Sequence, residues 1–182
     1  MHRLSSDVYE DIKENVCHLL VKYSANCIPV SGFELATKMG ISVIPYSALD
    51  KEKRNAMLKL SQDAFYFEHD GKSMIYYNNS CTISYTRLNM SILHEIGHAV
   101  LGHMMNTPPE VAEAEARFFA KYAIAPPPLV HRIMPTCPED IKNKFTISYE
   151  AACNAYDYYL KWLNYGGRYK LYELKLLQPR PA

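Results

Sequence analysis

His94-Glu95-Ile96-Gly97-His98 sets two histidines four residues apart, with a glutamate directly after the first. On a helix that spacing brings both imidazoles onto one face at a separation that suits chelation of a single Zn²⁺, and the glutamate projects beside them as a general base. A catalytic zinc takes three protein ligands and keeps one position open for water, so a third ligand must come from elsewhere in the chain. A metzincin would place glycine and histidine where this chain has Leu101 and Met104. His103 is one residue out of that register and lies beyond Gly102, so it reads as a histidine that supports the site rather than as a ligand. The other source is a glutamate on the next helix, and Glu110, Glu113 and Glu115 are the candidates. Glu110 has a place in a capping box, and Glu113 and Glu115, two residues apart, face different directions, so at most one of these two ligates. Peptide hydrolysis would also need a donor for the oxyanion, for which Tyr76, Tyr77 and His103 are candidates.

The elements that would position these groups follow from periodicity and caps. Val8, Ile12, Val16, Leu19 and Tyr23 line one face of an amphipathic helix over residues 5–23. Ser31-Gly32-Phe33-Glu34 is a capping box that opens a short helix over about 32–39, which Gly40 closes. Ile41-Ser42-Val43-Ile44 reads as a strand and 49–60 as a helix. Asp70-Gly71 joins the strand formers of 65–69 to those of 72–77 in a type I′ hairpin. From about Thr86 to Gly102 the pattern is helical, which puts the His-Glu motif in mid-helix. Thr107-Pro108-Pro109-Glu110 is a second capping box, and the helix it starts near Pro108 must end before Pro126-Pro127-Pro128. Further helices are expected at about 138–144 and, capped by Ser148, at about 149–164, with Ala152, Tyr156, Tyr159 and Leu163 facing the core. Helices, a small mostly antiparallel sheet, then helices again make an α+β architecture.

The chain has 182 residues, 48% of them hydrophobic, with 20 basic and 19 acidic side chains for a net charge of +1. That balance excludes a polybasic nucleic-acid binder as a whole-chain description. No charge-free stretch approaches the roughly 18 residues of a membrane span, and the N-terminus lacks the apolar region of a signal peptide, so a cytoplasmic protein is expected. The five cysteines are odd in number and widely separated, which reads as free thiols in a reducing compartment. After Gly167 the tail carries Arg168, Lys170, Lys175 and Arg180 against Glu173, and is expected either to fray or to dock onto a partner.

Arg87 ahead of the His-Glu motif, then Glu113-Ala114-Glu115-Ala116-Arg117-Phe118-Phe119-Ala120 and Pro126, resembles the ImmA/IrrE family of zinc metallopeptidases. Ile28-Pro29 through Gly40-Ile41-Ser42-Val43, and Phe145 through Ala152, extend the similarity to about residues 28–155. The resemblance implies a zincin-like gluzincin core over residues 1–130, with a C-terminal helical extension over 131–182 packed on the same domain. Its register selects Glu113 over Glu115, so that His94, His98 and Glu113 would hold Zn²⁺ and Glu95 would be catalytic. The family usually has Asn where this chain has Arg117; Asn could accept a hydrogen bond from a ligand imidazole, whereas arginine only donates. The implied activity is hydrolysis of a peptide bond in a helix-turn-helix transcriptional repressor of a phage, mobile element or stress regulon, with no direct nucleic-acid contact and no membrane. Two other functions compete: a non-proteolytic antirepressor or antitoxin-like binding protein that keeps zinc for structure, and a zinc hydrolase of small substrates.

Overall fold

The computed structural model describes residues 4–103 and 107–178. Helix α1 (Ser6–Lys22) starts where the Ser5 hydroxyl accepts from the Val8 N–H, and it buries Ile12, Val16, Cys17 and Leu20 along one face. Ser31 caps α2 (Gly32–Lys38) through the Glu34 N–H, but the Glu34 carboxylate pairs with Lys38 one turn on (2.6 Å) instead of reaching back. Half of the expected capping box therefore forms. β1 (Ser42–Pro45), a single 3₁₀ turn and α3 (Lys51–Leu60, capped by Asp50) lead into the hairpin of β2 (Ala64–His69) and β3 (Lys72–Tyr77). Asp70 and Gly71 at its tip have φ of 50° and 69°, the left-handed pair that a type I′ turn requires.

The three strands lie in the order β1-β3-β2, with β2 antiparallel and β1 parallel to β3. The sheet is thus mixed rather than mostly antiparallel. The chain between β1 and β3 holds α3 and β2, which is long enough for the crossover that a parallel neighbour demands. β2 is left as a free edge, and that edge faces the helix carrying the His-Glu motif.

That helix, α4 (Tyr85–Leu101), is capped by Ser84 and ended by Gly102 at φ 65°. It packs against α5 (Pro109–Ile124). Gly97 sets their separation: a Cβ there would lie 3.1 Å from Phe119 Cδ1 and 3.2 Å from Ala116 Cα. The start of α5 differs from the expected capping box. Pro108 is the N-cap, with no side-chain cap bond, and its carbonyl accepts from Val111 and Ala112; Glu110 is exposed and has no capping role.

The triple proline ends α5 as expected and then opens a helix of its own, α6 (Pro127–Arg132), followed by α7 (Pro138–Phe145) and α8 (Tyr149–Asn164). On α8, Ala152 and Tyr159 are buried and Tyr156 half-buried, but Leu163 is exposed, and in the last turn it is Trp162 that packs against the core. Over its described length the tail does not fray. It forms α9 (Leu171–Leu174) and a 3₁₀ turn that fold back on α1, burying Glu173 and Leu176, and Asn26 Nδ2 donates to the Leu176 carbonyl (3.0 Å). Arg180 lies outside the described residues. The architecture is α+β and mostly helical, and among the described residues no helix is long and apolar enough to cross a membrane.

Candidate metal centre

His94 and His98 lie on the same face of α4, and their Nε2 atoms approach to 3.1 Å. Glu113, on the first turns of α5, completes a triangle: its Oε2 is 3.3 Å from His94 Nε2 and its Oε1 3.4 Å from His98 Nε2. These three groups could hold a metal ion. These separations are close to the roughly 3.3–3.4 Å between ligand atoms of a tetrahedral ion with bonds of about 2.0–2.1 Å, with the two histidines somewhat nearer each other and the two contacts of Glu113 made by different oxygens. The imidazoles are also in the right protonation state. Burial, with His94 beside it, pushes His98 down to about 4, and burial lowers His94 as well, with the nearby Arg117 charge acting in the same direction. Both rings are then neutral at pH 7 and offer a lone pair.

Glu95 stands outside that triangle. Its Oε2 accepts from the backbone N–H of Tyr66 (2.8 Å), an amide of β2 that points away from β3 because β2 is an edge strand. Burial raises the Glu95 carboxyl to about 7; the Tyr66 amide opposes the shift and the Glu113 charge adds to it. A carboxyl raised toward neutrality beside three groups that could hold a metal ion is suited to pass a proton in both directions.

The remaining candidates separate clearly. Glu115 is not in the triangle: it turns toward His103, with Oε2 2.9 Å from His103 Nε2. His103 lies outside the triangle as well, and its Nδ1 is 2.9 Å from His98 Nδ1, on the side of that ring away from Nε2. Glu110 is exposed on the opening turn and takes no part. Tyr76 donates to the Met74 sulfur (3.5 Å) and Tyr77 packs edge-on against Phe33, and neither lines the cleft. Arg87 holds Asp63 through Nε and Nη2 (2.9 and 3.0 Å), pinning the start of α4 to the entry of β2.

A cleft of about 930 Å³ opens over the triangle, bounded by β2 at Ala64–Tyr66, by Arg117 and Phe118 of α5, and by Ala151 of α8. Arg117 is exposed there one turn beyond Glu113. Two groups that hold the site carry no signal in the sequence pattern. Asn89, buried on α4, accepts from Gly32 N–H (2.7 Å) and donates to the Val30 carbonyl (2.9 Å), clasping α2 to the helix of the motif. The Tyr66 amide is the other, and a backbone donor leaves no mark in side-chain pattern. The chain matches no family model, no curated protein and no solved structure.

Proposed function

We propose that this chain is a zinc-dependent endopeptidase of the ImmA/IrrE kind, built on a gluzincin core and acting in the cytoplasm on a helix-turn-helix transcriptional repressor. The observation that carries the reading is the grouping of His94, His98 and Glu113, which could hold one metal ion, with a largely buried carboxyl, Glu95, on the helix of the two histidines at the wall of an open cleft. A site that served structure alone would need no general base beside its ligands.

His94, His98 and Glu113 would hold the zinc, which when bound would supply Lewis acidity toward a water and the scissile carbonyl. Glu95 takes a proton at its carboxylate from the attacking water and returns it to the leaving amine, so that water adds across the broken C–N bond and leaves one acid and one amine. His103 has both ring nitrogens engaged and Tyr76 and Tyr77 lie outside the cleft, whereas Arg117 is a cation in the cleft wall one turn beyond Glu113 and is one of the donors there that could serve the oxygen on which charge develops. The five free cysteines accord with a reducing compartment.

The test is intact-mass analysis of a helix-turn-helix regulator encoded beside this gene, incubated with the zinc-loaded protein and, in parallel, with Glu95→Gln. Two fragments summing to the regulator plus one water are expected from wild type. Glu95→Gln should keep its metal and fold and lose about 10²–10⁴-fold in rate. Equal cleavage by both proteins overturns the role of Glu95. An uncut regulator that co-elutes with both replaces proteolysis by sequestration.

A further inference from the structure

We propose that His103 and Glu115 are positioning residues, a hydrogen-bonded relay Glu115–His103–His98 that fixes the tautomer and orientation of His98 so that its Nε2 lone pair faces the metal site. The inference rests on the metal-centre reading above and deepens it. Its basis is two contacts in series, each 2.9 Å: Glu115 Oε2 to His103 Nε2, and His103 Nδ1 to His98 Nδ1.

The polarity of the relay follows from donor and acceptor capacity. An ionised carboxylate only accepts, so His103 must present its proton at Nε2 to Glu115. A neutral imidazole has one N–H, so His103 Nδ1 is then a lone pair and can only accept. His98 must therefore carry its proton on Nδ1 and donate it to His103, which leaves Nε2 bare. That bare nitrogen is the atom 3.1 Å from His94 Nε2 and 3.4 Å from Glu113 Oε1. The opposite polarity would put a proton on the ligand atom and close the site.

The fold supplies each member of the relay. Gly102, at φ 65°, turns the chain out of α4, and the His103 N–H donates back to the His98 carbonyl (3.1 Å), which brings the His103 ring against the last turn of its own helix. The five-residue offset from His98, out of register for a metzincin ligand, is the offset that this turn places behind the ligand ring. Glu113 and Glu115, two residues apart on α5, serve opposite sides of one imidazole. The first faces Nε2 of His98, and the second reaches the relay behind Nδ1. The His103 side chain is 6% exposed and that of Glu115 20%, so water is poorly placed to substitute for either. The relay also answers the departure at Arg117. The acceptor that asparagine would have offered is supplied two residues earlier by Glu115, acting through His103.

Zn²⁺ affinity is measured by competition against a chromophoric chelator for wild type, His103→Ala, Glu115→Ala and Glu115→Gln. The His98 tautomer is read by ¹⁵N NMR of the ring nitrogens in the metal-free proteins. Both alanine variants should bind Zn²⁺ about 10–100-fold more weakly. Glu115→Gln, whose amide oxygen still accepts from His103, should stay nearer wild type than Glu115→Ala, a rescue that loss of packing would not produce. Metal-free wild type should show His98 protonated on Nδ1, and Glu115→Ala should show a mixture of tautomers. Folded alanine variants with wild-type Zn²⁺ affinity overturn the proposal, as does His98 protonated on Nε2 in wild type. Wild type that binds no Zn²⁺ overturns the metal-centre reading itself, while the tautomer in the metal-free protein still decides the polarity of the relay. Should His103→Ala fail to fold, Glu115→Gln against Glu115→Ala carries the same decision.

Discussion

Helix α5 serves two polar clusters that differ in one respect. At its N-terminal end Glu113 meets His94 and His98, three groups that could hold a metal ion. At its C-terminal end Tyr122 is 3% exposed and donates its O–H to Glu173 (2.9 Å), whose other oxygen accepts from the Lys170 N–H (2.9 Å). Alongside, Tyr172 donates to Glu10 (2.9 Å) and Lys13 pairs with it (2.7 Å). Every acceptor in the second cluster has a donor from the chain, and burial far from water drives the Tyr122 hydroxyl well above its usual range, which keeps it a donor. The first cluster could be completed by a cation. A satisfied network holds structure, whereas convergent acceptors without donors mark a place where a ligand belongs.

Substitutions at the two ends should therefore report different quantities, and the largest effect belongs to the incomplete cluster. Glu113→Ala removes a ligand atom and should lower Zn²⁺ affinity by more than the roughly 10–100-fold that loss of a supporting group costs. Glu115→Ala should stay within that smaller range. Metal content by plasma mass spectrometry after dialysis separates them, and a larger loss from Glu115→Ala would show that the wrong glutamate has been placed on the metal. Thermal stability of the metal-free Glu113→Ala protein should be unchanged or raised, since one of three crowded lone-pair groups is gone.

At the other end, Tyr122→Phe leaves Glu173 buried with only the Lys170 amide. An unsatisfied buried acceptor costs about 1–3 kcal/mol, which is about 2–12 °C in Tm for a chain of this size. Differential scanning calorimetry reads the loss, and the Zn²⁺ affinity should remain that of wild type. A Tyr122→Phe protein as stable as wild type but poor in metal would dissolve the distinction between the two clusters.

The same contrast explains what could be seen from sequence. His94, Glu95 and His98 sit on one helix, where a spacing of four converts directly into a shared face, so those three were legible without any tertiary information. The hairpin tip was legible for a similar reason, since Asp70-Gly71 specifies its own backbone conformation. Between Glu113 and Glu115 spacing alone leaves the choice open, because it depends on how α5 rolls against α4, and that is set by the contact of Gly97 with Ala116 and Phe119. The second cluster was invisible. Tyr122, Glu173 and Glu10 are separated by up to 163 positions, and α9 is a four-residue helix that its own composition does not demand. The triple proline misled in part: it stops a helix, and it also fits the first turn of the next one.

The smallest effect concerns the edge of the second cluster, where solvent reaches it. Burial raises the Glu10 carboxyl, but hydrogen bonds from Lys13, Lys170 and Tyr172 outweigh burial and hold it down to about 2, against an ordinary value of 4.5. A carboxyl whose folded value is depressed contributes stability that is complete above the unfolded value and disappears as pH falls through the folded one. The contribution should thus be full at pH 6, begin to decline near 4.5 and be lost toward 2. The Lys170 and Glu10 side chains are 56% and 36% exposed, so screening holds the worth of this pair to about 0.2–1 kcal/mol. Lys170→Met keeps the stem and removes the charge. Its Tm should lie about 1–3 °C below wild type at pH 6. The gap should close on acidification to about pH 2.5, with Zn²⁺ affinity at pH 7 unaffected. No gap at pH 6 would mean that the tail is held by apolar packing such as that of Leu176, and that the Lys170–Glu10 pair does not tie α9 to α1.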